Sequence, residues 1–135
     1  MSGYSSTKLI DKLGIKKDFY LAVINPPENY TDILGTLPDG VVIKKSLGTN
    51  LDFVHFFAHD KKQLQKIFPQ LLKSIKQNGM IWVSWPKKSS KIETDIDENI
   101  VRYLGLNIGL VDIKVCAVTE IWSGLKFVIP VKARI

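Results

Sequence analysis

The segment from Phe53 to Trp85 constrains this chain more than any other. Phe53-Val54-His55-Phe56-Phe57 is a near-continuous apolar run, as a strand covered on both faces should be. Leu64, Ile67, Phe68, Leu71, Leu72 and Ile75 then recur at helical spacing, behind a capping residue at Asp60. Met80-Ile81-Trp82-Val83-Ser84-Trp85 is a second apolar run. Strand, crossing helix and strand of these lengths form a parallel, right-handed unit. Pro69 falls inside the helix, so a kink or break is expected there. Asn78-Gly79 is expected to end it.

The other segments extend the pattern. A short first helix carries Leu9, Ile10 and Leu13, with Ser5 or Ser6 as its cap and Gly14 at its end. Tyr20-Leu21-Ala22-Val23-Ile24 reads as a strand buried on both faces, stopped by Asn25-Pro26-Pro27 because proline cannot donate to a ladder. A short helix near Tyr30–Leu34 and a turn at Pro38-Asp39-Gly40 precede a brief strand, Val41-Val42-Ile43. The link from Ile43 to Phe53 is too short for a helical crossover, so those strands are either non-adjacent or antiparallel. Thr94 or Asp95 caps a further helix with Ile96, Ile100, Tyr103 and Leu104 on one face and Gly105 at its end. Val111–Val118 and Trp122–Ile129 form an antiparallel hairpin, and their alternation requires an odd-length turn centred near Glu120. The fold expected is α/β: a Rossmann-like, mostly parallel sheet closed by a C-terminal antiparallel hairpin, in one domain spanning residues 1–135.

Composition bounds the function classes. A chain of 135 residues, 45% hydrophobic and 24% charged, can bury a real core and is not of disordered type. One cysteine, Cys116, excludes an internal disulfide and any multi-cysteine zinc site. No apolar run approaches the roughly 18–20 residues that cross a bilayer. Met1-Ser2-Gly3-Tyr4-Ser5-Ser6 lacks the pattern of a signal peptide, so a cytoplasmic home is expected. Nineteen Lys and Arg against thirteen Asp and Glu leave a charge of +6. Only Arg102 and Arg134 are arginines, and the forked guanidinium is what specific phosphate and base readout favours. Nucleic acid is therefore not the expected partner.

Three segments resemble the class I methyltransferase-like Rossmann fold: Leu51–Phe57, the run Leu71–Ser84 with its Asn78-Gly79, and Gly109-Leu110-Val111-Asp112 with the hairpin that follows. More closely, Gly3-Tyr4-Ser5, Trp82–Lys88, Asp112–Val118 and Trp122–Lys126 resemble a bacterial family catalogued as domain of unknown function 3052, over essentially the whole length. The resemblance implies the fold and no established activity. A nucleoside cofactor at the first strand needs glycines and their N–H donors. Here Asn25-Pro26-Pro27-Glu28-Asn29 follows that strand, with no glycine before Gly35. The acidic residue that takes the ribose hydroxyls is replaced by Lys44-Lys45. Asn25-Pro26-Pro27 is similar to the Asn-Pro-Pro-aromatic motif of amino-methylating enzymes. Glu28 and Asn29 intervene before Tyr30, however, and the segment reads as a strand terminator.

No catalytic or metal constellation stands out. His55 reads as a core histidine, and Cys116 as a structural thiol. Ser84 lacks the glycines of a nucleophile elbow. The strand ends carry the candidate ligand-binding residues Asn25, His59, Ser84, Trp85, Lys87 and Lys88, where sheets of this type place ligands. A secondary patch of Lys114, Trp122 and Lys126 falls on one hairpin face, with Lys114 and Lys126 near-opposite. The leading expectation is a non-catalytic binding or regulatory domain, without cofactor, for a small anionic ligand or a protein partner. A divergent methyltransferase-like enzyme is the alternative, and a lysine-mediated nucleic-acid binder a third.

Overall fold

The computed structural model describes residues 8–135. Ser5, Ser6 and the Gly3-Tyr4-Ser5 motif lie outside the described residues. Helix α1 (Leu9–Leu13) begins after Lys8, which makes no side-chain cap, and ends at Gly14 with φ 85°. Strand β1 (Tyr20–Ile24) and helix α2 (Tyr30–Leu34) follow. Next come β2 (Val42–Lys44), β3 (Leu51–Phe57), α3 (Lys61–Ser74) and β4 (Ile75–Pro86). After a single 3-10 turn at Lys88–Ser90 come α4 (Glu98–Asn107), β5 (Val111–Ala117) and β6 (Trp122–Val128).

The six strands lie in the order β2-β1-β3-β4-β6-β5. The first four are parallel, and β6 and β5 run antiparallel to their neighbours. The mostly parallel α/β architecture closed by a hairpin is thus present. Strands β2 and β3 flank β1 on opposite sides, which explains their short link: they are non-adjacent. Residues of α3 and α4 pack with Val54, Phe56, Ile81, Val83 and Trp85 on one face of the sheet. Residues of α1 and α2 pack with Leu21, Val23, Phe53, Phe57, Trp82 and Trp122 on the other. Continuous apolar strands result because both faces are covered.

Five local expectations need correction. Helix α3 runs unbroken through Pro69, because Pro69 and Gln65 are both exposed. Water can take the Gln65 carbonyl that the proline leaves without a donor. The helix ends at Ser74, not at Asn78-Gly79. The Ser74 hydroxyl donates to the Leu71 carbonyl at 2.7 Å, and buried Ile75 already pairs with Leu51. Gly79 serves a close approach instead: a Cβ there would stand 2.9 Å from the Leu51 carbonyl oxygen. Helix α4 is capped by Asp97, which accepts from the Ile100 N–H at 2.9 Å, and not by Thr94 or Asp95. Its inward stripe is Val101, Leu104 and Gly105, while Tyr103 is 61% exposed. Gly105 therefore sits within the helix, where it lets the Phe127 ring pack against the backbone.

The hairpin register places Lys114 opposite Lys126, Val115 opposite Leu125 and Cys116 opposite Gly124. That register is centred on Glu120, as the odd turn required. Between Asp112 and Lys114 the register shifts by one residue, a bulge at Ile113.

Candidate functional site

Parallel strands end together, so the carboxyl edge of β1, β3 and β4 is where loops converge. Strand β1 ends at Asn25, whose φ of 55° lies in the left-handed region that asparagine tolerates. Pro26-Pro27 then leads into α2, whose first N–H, from Tyr30, donates to the Pro27 carbonyl at 3.1 Å. Strand β3 is followed by Ala58-His59. The His59 carbonyl accepts from the Thr94 hydroxyl at 2.8 Å, and the Asp95 carboxylate accepts from the Lys61 N–H at 2.8 Å. These bonds tie the loop after β4 to the start of α3.

The candidate residues divide between the two faces of the sheet. The exposed His59 ring stands edge-on to Trp122, 5.4 Å between centroids. Trp122 belongs to the core on the α1–α2 side. There it lines a cleft of about 270 Å³ with Pro27, Asn29, Ile33, Thr119, Glu120 and Ile121. Trp85 belongs to the core on the α3–α4 side. It lines a more polar cleft of about 390 Å³ with Lys87, Lys88, Asp97, Glu98 and Ser123. Trp85 and His59 are therefore not parts of one pocket. Asn25 is exposed at the end of β1 and lines neither cleft.

Ser84 points inward. Its hydroxyl meets His55 Nε2 at 2.7 Å, and His55 Nδ1 meets the Tyr30 hydroxyl at 2.9 Å. All three residues are buried, with His55 and Ser84 fully so. Burial holds the His55 imidazole down to about 3 and pushes the Tyr30 phenol up. The imidazole is therefore neutral, and one ring nitrogen accepts while the other donates. This chain of bonds joins α2, β3 and β4, and it fits the core-histidine reading. Its distant member, Tyr30, has no spacing relation to His55 that a sequence would reveal. The residues lining the cleft beside Trp122 also lacked a signal, because loops from opposite ends of the chain supply them.

Lys114 and Lys126 face one another across the hairpin, while Trp122 on the same side is buried beneath α2 and β3 partners. Among the described residues, no group of three His, Cys, Asp or Glu side chains comes together to hold a metal. No helix among them is long and apolar enough to cross a membrane.

Comparison with known proteins adds to this geometry. No family model matches the chain. No curated protein matches it in sequence. Solved structures do match. A SAM-dependent methyltransferase from Aquifex aeolicus is similar at TM-score 0.61 and 15% identity, over 89% of this chain and 87% of that one. Magnesium protoporphyrin IX methyltransferase from Synechocystis PCC 6803, with bound SAM, is similar at TM-score 0.58 and 10% identity, over 90% and 74%. A protein of the NADB-Rossmann superfamily from Streptococcus agalactiae is similar at TM-score 0.56 and 11% identity, over 93% and 69%. These matches correct the expectation of a non-catalytic binding or regulatory domain. Methyltransferases are among the structures that share the fold, and others hold SAM or SAH, so the fold speaks for the divergent methyltransferase alternative. Six strands in this order, with both faces covered and an antiparallel closing pair, give the chain the methyltransferase-like Rossmann fold.

Proposed function

We propose that this chain is a divergent methyltransferase-like enzyme acting at the carboxyl edge of its sheet. The observation that carries the reading is the strand order β2-β1-β3-β4-β6-β5, in a fold shared with SAM-dependent methyltransferases over about nine-tenths of the chain. Membership of the domain of unknown function 3052 family is the finer form of the same reading. It rests on the motifs Trp82–Lys88, Asp112–Val118 and Trp122–Lys126. A cytoplasmic home agrees with the single cysteine.

The loop after β1 does not fit an S-adenosyl group in the glycine-loop manner. Pro26 and Pro27 offer no N–H donors. At the end of β2, where a carboxylate would take the ribose hydroxyls, Lys44 is exposed with its ammonium 5.5 Å over the Tyr20 ring. Any S-adenosyl ligand must instead be held by side chains, and the cleft of Pro27, Asn29, Ile33, Ile121 and Trp122 offers apolar walls with an amide at the rim.

Calorimetry with S-adenosylmethionine and S-adenosylhomocysteine tests the reading. The expected result is saturable heat that Ile33→Trp, which fills the cleft, removes. No saturable heat with ligand at about 1 mM, an affinity limit near −4 kcal/mol, would overturn the reading. Binding that survives Ile33→Trp unchanged would move the seat out of this cleft.

A further inference from the structure

The hairpin face on the α1 side gathers positive charge that nothing in the described fold neutralises. Lys114 and Lys126 are direct cross-strand partners, so their side chains leave the sheet on one face roughly 5 Å apart at Cβ. Like charges so placed destabilise a sheet. Lys126 reaches towards α1: its ammonium stands 3.8 Å from where a Cβ on Gly14 would sit. Lys16 follows two residues later and adds its own charge. Burial, then Lys114, then Lys16 hold the Lys126 ammonium below its ordinary range. Among the described residues none of the three ammonium groups makes an ion pair.

The nearest acid of the strand has been turned away. In regular alternation Asp112 would share a face with Lys114. The extra residue at Ile113 reverses that alternation. Asp112 emerges instead on the α4 side, where its carboxylate accepts from Arg102 Nε at 2.9 Å. Arg102 also holds Glu98. The bulge thus removes a carboxylate from a face that carries three ammonium groups.

We propose that Lys16, Lys114 and Lys126 form a binding site for the phosphate group of a small molecule. A compact dianion suits three ammonium groups converging from two strands and a helix end, since each lysine acts as a point charge without planar preference. The site lies on the mid-strand face of the hairpin, and Lys126 pairs with Trp82 rather than with the strand ends. It is therefore independent of the carboxyl-edge cleft and of the methyltransferase reading.

The test is thermal unfolding and calorimetry with inorganic phosphate and pyrophosphate, at constant ionic strength set by chloride. The expected result is saturable stabilisation by phosphate and pyrophosphate beyond that of chloride. Lys114→Gln should weaken the binding about tenfold, since a charged hydrogen bond is worth about that factor. Without phosphate the same variant should melt higher than the parent, because a like-charge contact is gone. Lys66→Gln, exposed on α3 across the sheet, should keep the full response. An equal response to phosphate and chloride would overturn the site. So would a Lys114→Gln variant that binds as the parent does. A single-stranded oligonucleotide that binds with steep salt dependence and is not displaced by pyrophosphate would replace the small-molecule reading with a nucleic-acid one.

Discussion

His55 spends its life as an uncharged ring inside the sheet, and that has a cost that depends on pH. Its native pKa lies near 3, lowered by burial from 6.5. The unfolded chain therefore takes up a proton below about pH 6.5 that the folded chain refuses. Stability from this residue is complete above pH 6.5 and is lost as pH falls from there towards 3. The slope approaches about 1.4 kcal/mol per pH unit. Denaturant unfolding at pH 7.5 and pH 5 should differ by about 2 kcal/mol from this residue alone. His55→Gln should be less stable at neutral pH, because Tyr30 and Ser84 lose their shared partner. It should also lose most of that slope. A slope unchanged in His55→Gln would assign the acid sensitivity to other groups. Arg102 provides the opposite case, since its bonds to Glu98 and Asp112 hold its guanidinium more firmly protonated.

At the scale of elements, α3 shows how far a periodic pattern carries. The stripe of Leu64, Ile67, Phe68 and Leu71 was legible, and Asp60 caps the helix with a bond of 2.8 Å to the Gln63 N–H. Leu71 is fully buried, so Leu71→Ala should cost about 2–5 kcal/mol in denaturant unfolding. A loss below about 1 kcal/mol would mean that the cavity collapses. The end of α3 was not legible, because Asn78-Gly79 carries a helix-stop signal while Leu51, in a different strand, sets the true end by pairing with Ile75. Gly105 was misread for the same reason: its role depends on Phe127, which lies 22 positions away in sequence. Gly105→Ala would lift α4 from the Phe127 ring, and overpacking of that kind costs about 1–3 kcal/mol. A thermal melt unchanged in Gly105→Ala would show that the helix can shift to admit a methyl group. The hairpin register was recoverable because alternation and an odd turn agree on Glu120. The bulge at Ile113 was not, because nothing local in Asp112-Ile113-Lys114 marks it.

For the whole molecule, the sheet acts as a partition. The fold class followed from the parallel unit around α3, and the position of β2 followed once β1 was seen between β2 and β3. The site was only partly legible, since strand ends could be located but not the face to which each side chain turns. Trp85 and Trp122 sit at the same edge and serve opposite cores. Lys87 nevertheless connects the two regions through the backbone, its N–H donating to the Ile121 carbonyl at 2.8 Å. Occupying the cleft beside Trp122 should therefore leave the polar cleft beside Trp85 open. Ile33→Trp should change the accessibility of Trp122-side residues to hydrogen exchange and spare Asp97–Asn99. Protection that rises equally on both sides would mean that the edge moves as one body.

The bulge at Ile113 also bears on how this protein behaves in a crowd of its own copies. Strand β5 is the rim of the sheet, with Ile113 and Val115 about half exposed. A flat seven-residue rim of that composition is an invitation to add further strands without limit. One surplus residue spoils the spacing of the outward-facing amides, and Lys114 beside it raises the electrostatic penalty for a second rim laid alongside. Removing Ile113 would flatten the rim, and the shortened chain should turn from freely dispersed to filament-forming as its concentration rises. Light scattering that stays flat for the deletion would place the safeguard in Lys114 alone.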